Sequence, residues 1–333
     1  MTNQITPIQL HITNTCNLRC KHCYHDSHSN SGALNAWEWK KIILDGIELC
    51  NEIGTQPLFI FAGGEPILCP FLAEFVRFIR EKNPQALVAI LTNGTLLSAD
   101  SLNGIPTDVA IQVSIDGPDA TRHDFQRGNG SFEAAKMGIR EAQKIGFQVQ
   151  ISTVLSRRTA KWISEFFRLA DNLGVQGQNF TRLIPAGQGK VLQETKSDAP
   201  ILGIELRDAY REIVFQSEKW NVPTNTSQPL FQLIKPNLGA NGGFGFSINI
   251  DHQGNFKPSA RNNQNIGNVR KKPLNEIFFK SKIMNSLRNG NFVGCKKCSH
   301  RCRCGGDRNA AHASSGNFLG RDPGCWNSEN YNA

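Results

Sequence analysis

The stretch that decides the fold is QLHITNTCNLRCKHCY, residues 9–24. Residues 9–13 are a short, strand-like run, and three cysteines, Cys16, Cys20 and Cys23, follow it in a CxxxCxxC spacing. Outward from this point the pattern repeats. Strand-like runs at 58–61, 87–91, 109–115, 148–155 and 179–183 alternate with longer segments of helical period. In the first of these Trp39, Ile42, Ile43, Gly46, Ile47 and Cys50 fall at i, i+3, i+4, i+7, i+8 and i+11, one apolar face of a helix. Similar stripes run through 71–79, 132–145 and 162–173, each closed nearby by Gly, Asn or Pro. Six strands alternating with helices predict a parallel α/β fold, a partial (β/α)6 TIM-like barrel open on one side. Ligands of such folds sit at the C-terminal ends of the strands, so the loops after each strand should carry the chemistry.

The chain has 333 residues, 39% hydrophobic and 20% charged, a globular composition. No apolar run approaches the roughly 18 residues that cross a bilayer, and the start MTNQITPIQL has no basic signal region. A soluble, cytoplasmic protein is expected. The ten cysteines stand at 16, 20 and 23, at 50 and 69, and at 295, 298, 302, 304 and 325. Two dense clusters at opposite ends describe metal sites in a reducing compartment better than a disulfide framework. The formal net charge of +9 suits nucleic acid, an acidic substrate or anionic cofactors, and does not choose between them.

Three thiolates within eight residues can hold three irons of a four-iron cluster, leaving the fourth open to a ligand that is not protein. A zinc site completed by His22 or His25 is the alternative, although zinc knuckles generally use CxxC pairs. The strand-end loops carry further motifs: Gly63-Gly64-Glu65-Pro66 after the second strand, Thr92-Asn93-Gly94 after the third, and Ser114-Ile-Asp116-Gly117 at the end of the fourth. Each alone is ordinary turn chemistry. In this order, behind a CxxxCxxC, they resemble the radical S-adenosylmethionine (radical SAM) superfamily. The resemblance implies a 4Fe–4S cluster on Cys16, Cys20 and Cys23. Its open iron would be chelated by S-adenosylmethionine, whose reductive cleavage yields a 5′-deoxyadenosyl radical that takes hydrogen from a substrate. It also implies an electron donor such as flavodoxin or ferredoxin. The backbone of Gly63, Gly64 and Glu65 would meet the methionyl amino group; Asn93 and Ser114 would line the ribose and carboxylate. Tyr24 matches the aromatic position near the adenine, or packs over the loop. Arg127 could pair with the cofactor carboxylate through its forked donors, or be a solvated surface arginine.

The C-terminal stretch reads Cys295-Lys-Lys-Cys298-Ser-His-Arg-Cys302-Arg-Cys304-Gly-Gly-Asp-Arg308, then Asp322-Pro-Gly-Cys325-Trp326. This resembles the SPASM domain, a C-terminal extension of radical SAM enzymes that normally holds two auxiliary clusters. Cys295, Cys298, Cys304 and Cys325 meet the outer-cluster pattern, with Cys302 as an alternative to Cys304. The inner-cluster positions fall on Ser259 and Arg308, so two 4Fe–4S clusters are expected in all rather than three. A zinc ribbon is the rival reading of the four cysteines. Cys50, Cys69 and Cys302 are left as spares, and Cys50 and Cys69 read as buried small hydrophobes. Between 295 and 308 the net charge is +4, which would stabilise an anionic thiolate cluster and accounts for part of the +9. A nucleic-acid patch would interleave exposed aromatics with the basic residues, and this stretch has none.

The expected domains are a core barrel at 1–190, a helical bridge at 191–236 that includes a helix near 200–219, and a SPASM-like iron–sulfur domain at 237–333. The resemblance limits the substrate to classes. Oxidative modification of a ribosomal peptide or related natural-product precursor ranks first, and tetrapyrrole side-chain modification like that of heme d1 synthesis second. An aminosugar epimerase or dehydrogenase, and a non-catalytic electron-transfer protein, are the remaining readings. No nucleic-acid or membrane partner is expected.

Overall fold

The computed structural model describes residues 4–194, 198–224, 226, 228–236, 238, 245–295, 298–300 and 303–327. Nine strands form one sheet. The first six are β1 (Ile5–Thr13), β2 (Gln56–Gly63), β3 (Leu87–Thr92), β4 (Ala110–Ser114), β5 (Val149–Leu155) and β6 (Gln178–Arg182). Each pairs in parallel with the next. The helices between them are α1 (Ala36–Glu52), α2 (Leu72–Lys82), α3 (Ala120–Arg127), α4 (Ser131–Ile145) and α5 (Ile163–Leu173), with α6 (Gly203–Trp220) after the last strand. The partial α/β barrel is thus as expected, and strand positions agree to within a few residues.

The chain folds this way because the two faces of each strand meet different surroundings. Ile8 and Leu10 of β1, Phe59 and Phe61 of β2, Ile90 of β3, Ile111 and Val113 of β4 and Ile151 of β5 are fully buried against the helices. The alternate residues, Gln9, Leu58, Ile60, Ala89, Leu91, Gln112, Ser114 and Gln150, are only half-buried and line the concave face. The helix α1 starts on a reciprocal cap between Asn35 and Glu38 and buries Trp39, Ile42, Ile43, Ile47 and Cys50. Cys50 and Cys69 are both buried in the core.

The C-terminal part departs from the expected irregular domain. β7 (Ile248–Ile250) adds in parallel to the free edge of β1, with Gln9 opposite Asn249. β8 (Asn255–Lys257) and β9 (Gly267–Asn268) then extend the same sheet antiparallel. The sheet therefore runs without a break across the boundary expected at 237, and the strand order is β6-β5-β4-β3-β2-β1-β7-β8-β9. α7 (Leu274–Lys280), α8 (Lys282–Arg288) and α9 (Arg308–Ser315) complete the chain. Among the described residues no helix is long and apolar enough to cross a membrane.

Candidate active site

The loop that follows β1 carries Cys16, Cys20 and Cys23, all partly buried. A backbone bond from Cys23 N to Cys20 O closes its turn, and Lys21 N donates to Gln126 O of α3. Donors approach two of the sulfurs. Leu18 N lies 3.4 Å from Cys16 Sγ, Asn93 Nδ2 3.9 Å from Cys16 Sγ and Arg127 Nη1 3.9 Å from Cys20 Sγ. Burial pushes all three thiols up, Cys20 to about 11. Thiolates there want a compensating positive charge, which a bound iron cluster supplies. The residues present therefore fit a cluster held by three thiolates.

The Gly63-Gly64-Glu65 turn is built to hold this loop. A Cβ on Gly63 would stand 2.1 Å from Thr13 O, and one on Gly64 2.2 Å from Thr15 O. Gly64 N and Glu65 N donate to these same two carbonyls at 2.8 Å. Gly63 O accepts from His25 Nε2 at 2.9 Å. The glycines are demanded by the approach of two protein backbones, a reason the sequence reading, which looked to a ligand, did not contain. Glu65 is wholly buried. Its carboxylate accepts from Thr92 Oγ1 at 2.7 Å, Asn93 N at 2.8 Å and Ile67 N at 3.2 Å. Burial raises its pKa against the pull of these donors. Glu65 thus braces the loop after β2 against the loop after β3. Asn93 in turn donates to Asn17 Oδ1 at 2.8 Å and accepts from Thr95, fastening the third strand end to the cysteine loop.

At the end of β4 the structure assembles a group that the sequence reading did not find. Asp116 Oδ2 meets His22 Nε2 at 2.6 Å and Arg127 Nε at 2.5 Å, and Oδ1 accepts from Val154 N at 2.7 Å. Burial opposes ionisation of Asp116, yet Arg127 and then His22 hold its carboxyl well below the usual range. Arg127 is buried, not a solvated surface arginine, and in this structure its partner is Asp116. It sits on α3, an element the sequence reading lacked. Its signal was present: Asp119 caps the helix by accepting from Arg122 N. Ser114 lies on the concave face of β4, opposite Ser152. Tyr24 lies against His25, ring centroids 4.4 Å apart, and 6.0 Å from His11 of β1.

At the other end of the chain Cys295, Cys298, Cys304 and Cys325 line one cavity together with Leu230, Leu233, His300, Gly305, Gly306 and Asp322. Gly306 N approaches Cys304 Sγ at 3.4 Å and Asn327 Nδ2 approaches Cys298 Sγ at 3.7 Å. Burial raises the Cys295 thiol and pushes Cys304 up to about 12. Cys302, Lys296, Lys297 and Arg301 lie outside the described residues. Among the described residues no three of His, Cys, Asp or Glu are grouped closely enough to hold a single metal ion; these four thiols ring a space instead. Asp322 ties the cavity to the barrel: Arg182 Nη1, at the end of β6, donates to both of its oxygens at 3.0 and 2.8 Å.

The sequence profile of the radical SAM superfamily matches residues 10–170, the span from β1 into α5 that carries these strand-end loops. This part of the chain is a radical SAM domain. Such a domain implies a 4Fe–4S cluster and S-adenosylmethionine, and the named relatives are enzymes. The chain is 27% identical to the AdoMet-dependent heme synthase of Nitratidesulfovibrio vulgaris, over 94% of this chain and 90% of that one. It is 28% identical to the pre-heme d1 synthase of Dinoroseobacter shibae, over 95% and 84%. The mycofactocin maturase MftC of Mycobacterium tuberculosis is 33% identical over 54% of this chain and 44% of its own. Among solved structures, native anSMEcpe with bound AdoMet and Kp18Cys peptide shares the fold, with a TM-score of 0.76, 18% identity and coverage of 98% and 95%.

Proposed function

We propose that this radical SAM enzyme modifies a side chain of a tetrapyrrole, and that it is a SPASM-type member with one auxiliary cluster. The observation that carries the substrate class is the extent of the likeness. The relatives named as AdoMet-dependent heme synthase and pre-heme d1 synthase align over 94% and 95% of this chain, whereas the mycofactocin maturase aligns over 54% of it. The order of preference from the sequence alone, peptide before tetrapyrrole, is thereby reversed. The concave face supports the reading. Leu58, Ile60, Ala89 and Leu91 give it an apolar wall. Asn179 Nδ2 reaches Gln150 Oε1 at 2.9 Å and Gln112 Oε1 at 3.3 Å on the other side. An apolar wall facing amides suits a flat macrocycle with polar edges.

In this reading Cys16, Cys20 and Cys23 hold the first cluster and Cys295, Cys298, Cys304 and Cys325 the second. When bound, the first cluster and S-adenosylmethionine supply a 5′-deoxyadenosyl radical that abstracts hydrogen. The chain's own part is placement. Glu65 and Asn93 fix the loops that hold the cofactor, Ser114 and Tyr24 stand along its path, and Arg127 presents a guanidinium beside the cysteine loop. The helices seal the convex face, so the radical can meet substrate only on the concave one.

The test uses anaerobically reconstituted protein with S-adenosylmethionine, a low-potential reductant and a panel of tetrapyrroles that includes iron-coproporphyrin III. A new tetrapyrrole mass, with 5′-deoxyadenosine formed above the substrate-free rate and absent from a Cys20→Ala control, is expected. A panel in which no tetrapyrrole changes mass or raises 5′-deoxyadenosine refutes the substrate class. No nucleoside above the Cys20→Ala control under any condition refutes the radical reaction itself.

A further inference from the structure

We propose that Asp116 is a positioning residue that locks the Arg127 guanidinium beside the Cys20 sulfur, so that one fixed cation sets the reduction potential of the cluster on Cys16, Cys20 and Cys23. The inference rests on the cluster reading given above and extends it to groups that are not ligands. Asp116 joins three elements through one buried carboxylate. Oδ1 accepts from Val154 N of β5, while Oδ2 meets Arg127 Nε of α3 and His22 Nε2 of the cysteine loop. His22 lies between Cys20 and Cys23, so the group that orients the guanidinium also orients the loop beneath it.

The geometry fixes Arg127 independently of any bound molecule. Its Nε is held at 2.5 Å by Asp116, which sets the plane of the guanidinium and leaves Nη1 at 3.9 Å from Cys20 Sγ. The helix that carries it is pressed against the strand end. A Cβ on Gly117 would stand 2.2 Å from His123 N, so any other residue there would push α3 and its arginine away from the sulfur. Asp116 N also approaches His123 Nδ1 at 3.3 Å, a second tie between strand end and helix. A reduced cluster carries one more negative charge than an oxidised one, so a fixed cation close to a ligand sulfur favours reduction. Asp116 brings its own negative charge and partly offsets the cation, so the two side chains act on the potential with opposite signs.

Their coupling, rather than the sign of either charge alone, makes the test. The full chain is reconstituted with iron and sulfide, and the first cluster is titrated by electron paramagnetic resonance without S-adenosylmethionine, which reads the cluster and not turnover. Arg127→Gln is expected to shift the midpoint to more negative potential, and in the Asp116→Asn background, where the guanidinium is no longer held at the sulfur, the same substitution is expected to shift it far less. Arg127→Lys keeps the charge without the forked donor and is expected between Arg127→Gln and the parent. Iron per chain, held at the parent's value, reports that the loop is intact. An Arg127→Gln shift as large in the Asp116→Asn background as in the parent, or no shift for Arg127→Gln with iron retained, overturns the proposal. Should Asp116→Asn lose its iron, equal potentials for Arg127→Gln and Arg127→Lys overturn it. A parent chain whose signal matches that of Cys20→Ala overturns the cluster reading instead.

Discussion

Replacing Arg182 with methionine removes the charge that joins the last barrel strand to the four-cysteine cavity, and the structure sets the size of the loss. Asp322 is 1% exposed and Arg182 4%. The carboxylate accepts twice from Arg182 Nη1, once from Asp307 N at 2.7 Å and once from Gly324 N at 2.8 Å. Breaking a buried pair by removing one partner costs about 3 to 5 kcal/mol, because the other charge stays in low dielectric. Here two backbone donors remain on Asp322, which puts the expected cost near the lower end, about 3 kcal/mol. The assay is anaerobic urea unfolding followed by circular dichroism. Arg157→Met serves as the control, since Arg157 and its partner Glu205 are 43% and 56% exposed and that pair should contribute under about 1 kcal/mol. The double variant Arg182→Met/Asp322→Asn should recover part of the loss by removing the stranded charge. A loss for Arg182→Met no larger than that for Arg157→Met would refute the reasoning.

Three further outcomes are expected. Gly64→Ala puts a Cβ 2.2 Å from Thr15 O and 2.6 Å from Asn14 O, so the cysteine loop must shift, and iron bound per chain should fall by about half with the remaining iron in the C-terminal site. Iron and zinc analysis of the parent should give roughly eight irons and no zinc, and Cys304→Ala should lose about four of the irons; zinc near one per chain with about four irons would refute the auxiliary cluster. Glu65 has a folded pKa raised by burial, so the folded chain holds its proton to higher pH than the unfolded chain does. Stability from this group is present at low pH and falls as pH rises from the ordinary glutamate range through the folded value. Glu65→Gln should flatten that fall, measured as urea midpoints across the acid range, and an unchanged slope would refute the burial argument.

The six barrel strands were legible because their convex faces are continuous apolar patterns set by local spacing, as in Phe59 and Phe61 of β2 or Ile111 and Val113 of β4. What escaped has a physical reason in each case. β7 is three residues long and pairs with β1 across more than two hundred residues of chain, so nothing local announces it. α3 buries His123, Gln126 and Arg127 in place of an apolar stripe, because Asp116 offers Arg127 a partner inside the protein. The motif reading located Glu65, Asn93 and Arg127 but not their bonds, since the partners Thr92, Asn17 and Asp116 become neighbours only when the strand ends come together. The Arg182–Asp322 pair, 140 residues apart in the chain, is invisible to any window.

The two positions where the SPASM pattern would carry further cysteines show how the chain is built without them. Arg308 is fully buried; its Nη1 donates to Phe318 O at 3.0 Å and Gly320 O at 2.7 Å, and its guanidinium lies over the Phe292 ring, 4.6 Å from the centroid. Ser259 Oγ accepts from Arg261 N, and the Arg261 side chain runs on to Arg182 O at 3.0 Å and toward Asp307 at 3.7 Å. Arginine is far larger than cysteine, so a simple loss of thiols would have left no room for Arg308 and no acceptors for its donors. The carbonyls at Phe318 and Gly320 stand where that guanidinium needs them, and Asp307 both caps α9 and faces Arg261. The Phe292 ring and the two carbonyls hold the Arg308 guanidinium through Nη1, while its buried Nη2 has no hydrogen-bond partner. An arginine held by two carbonyls and an aromatic ring fills the first of these positions and a serine bonded to the backbone the second, which is the ground for proposing a single auxiliary site on Cys295, Cys298, Cys304 and Cys325.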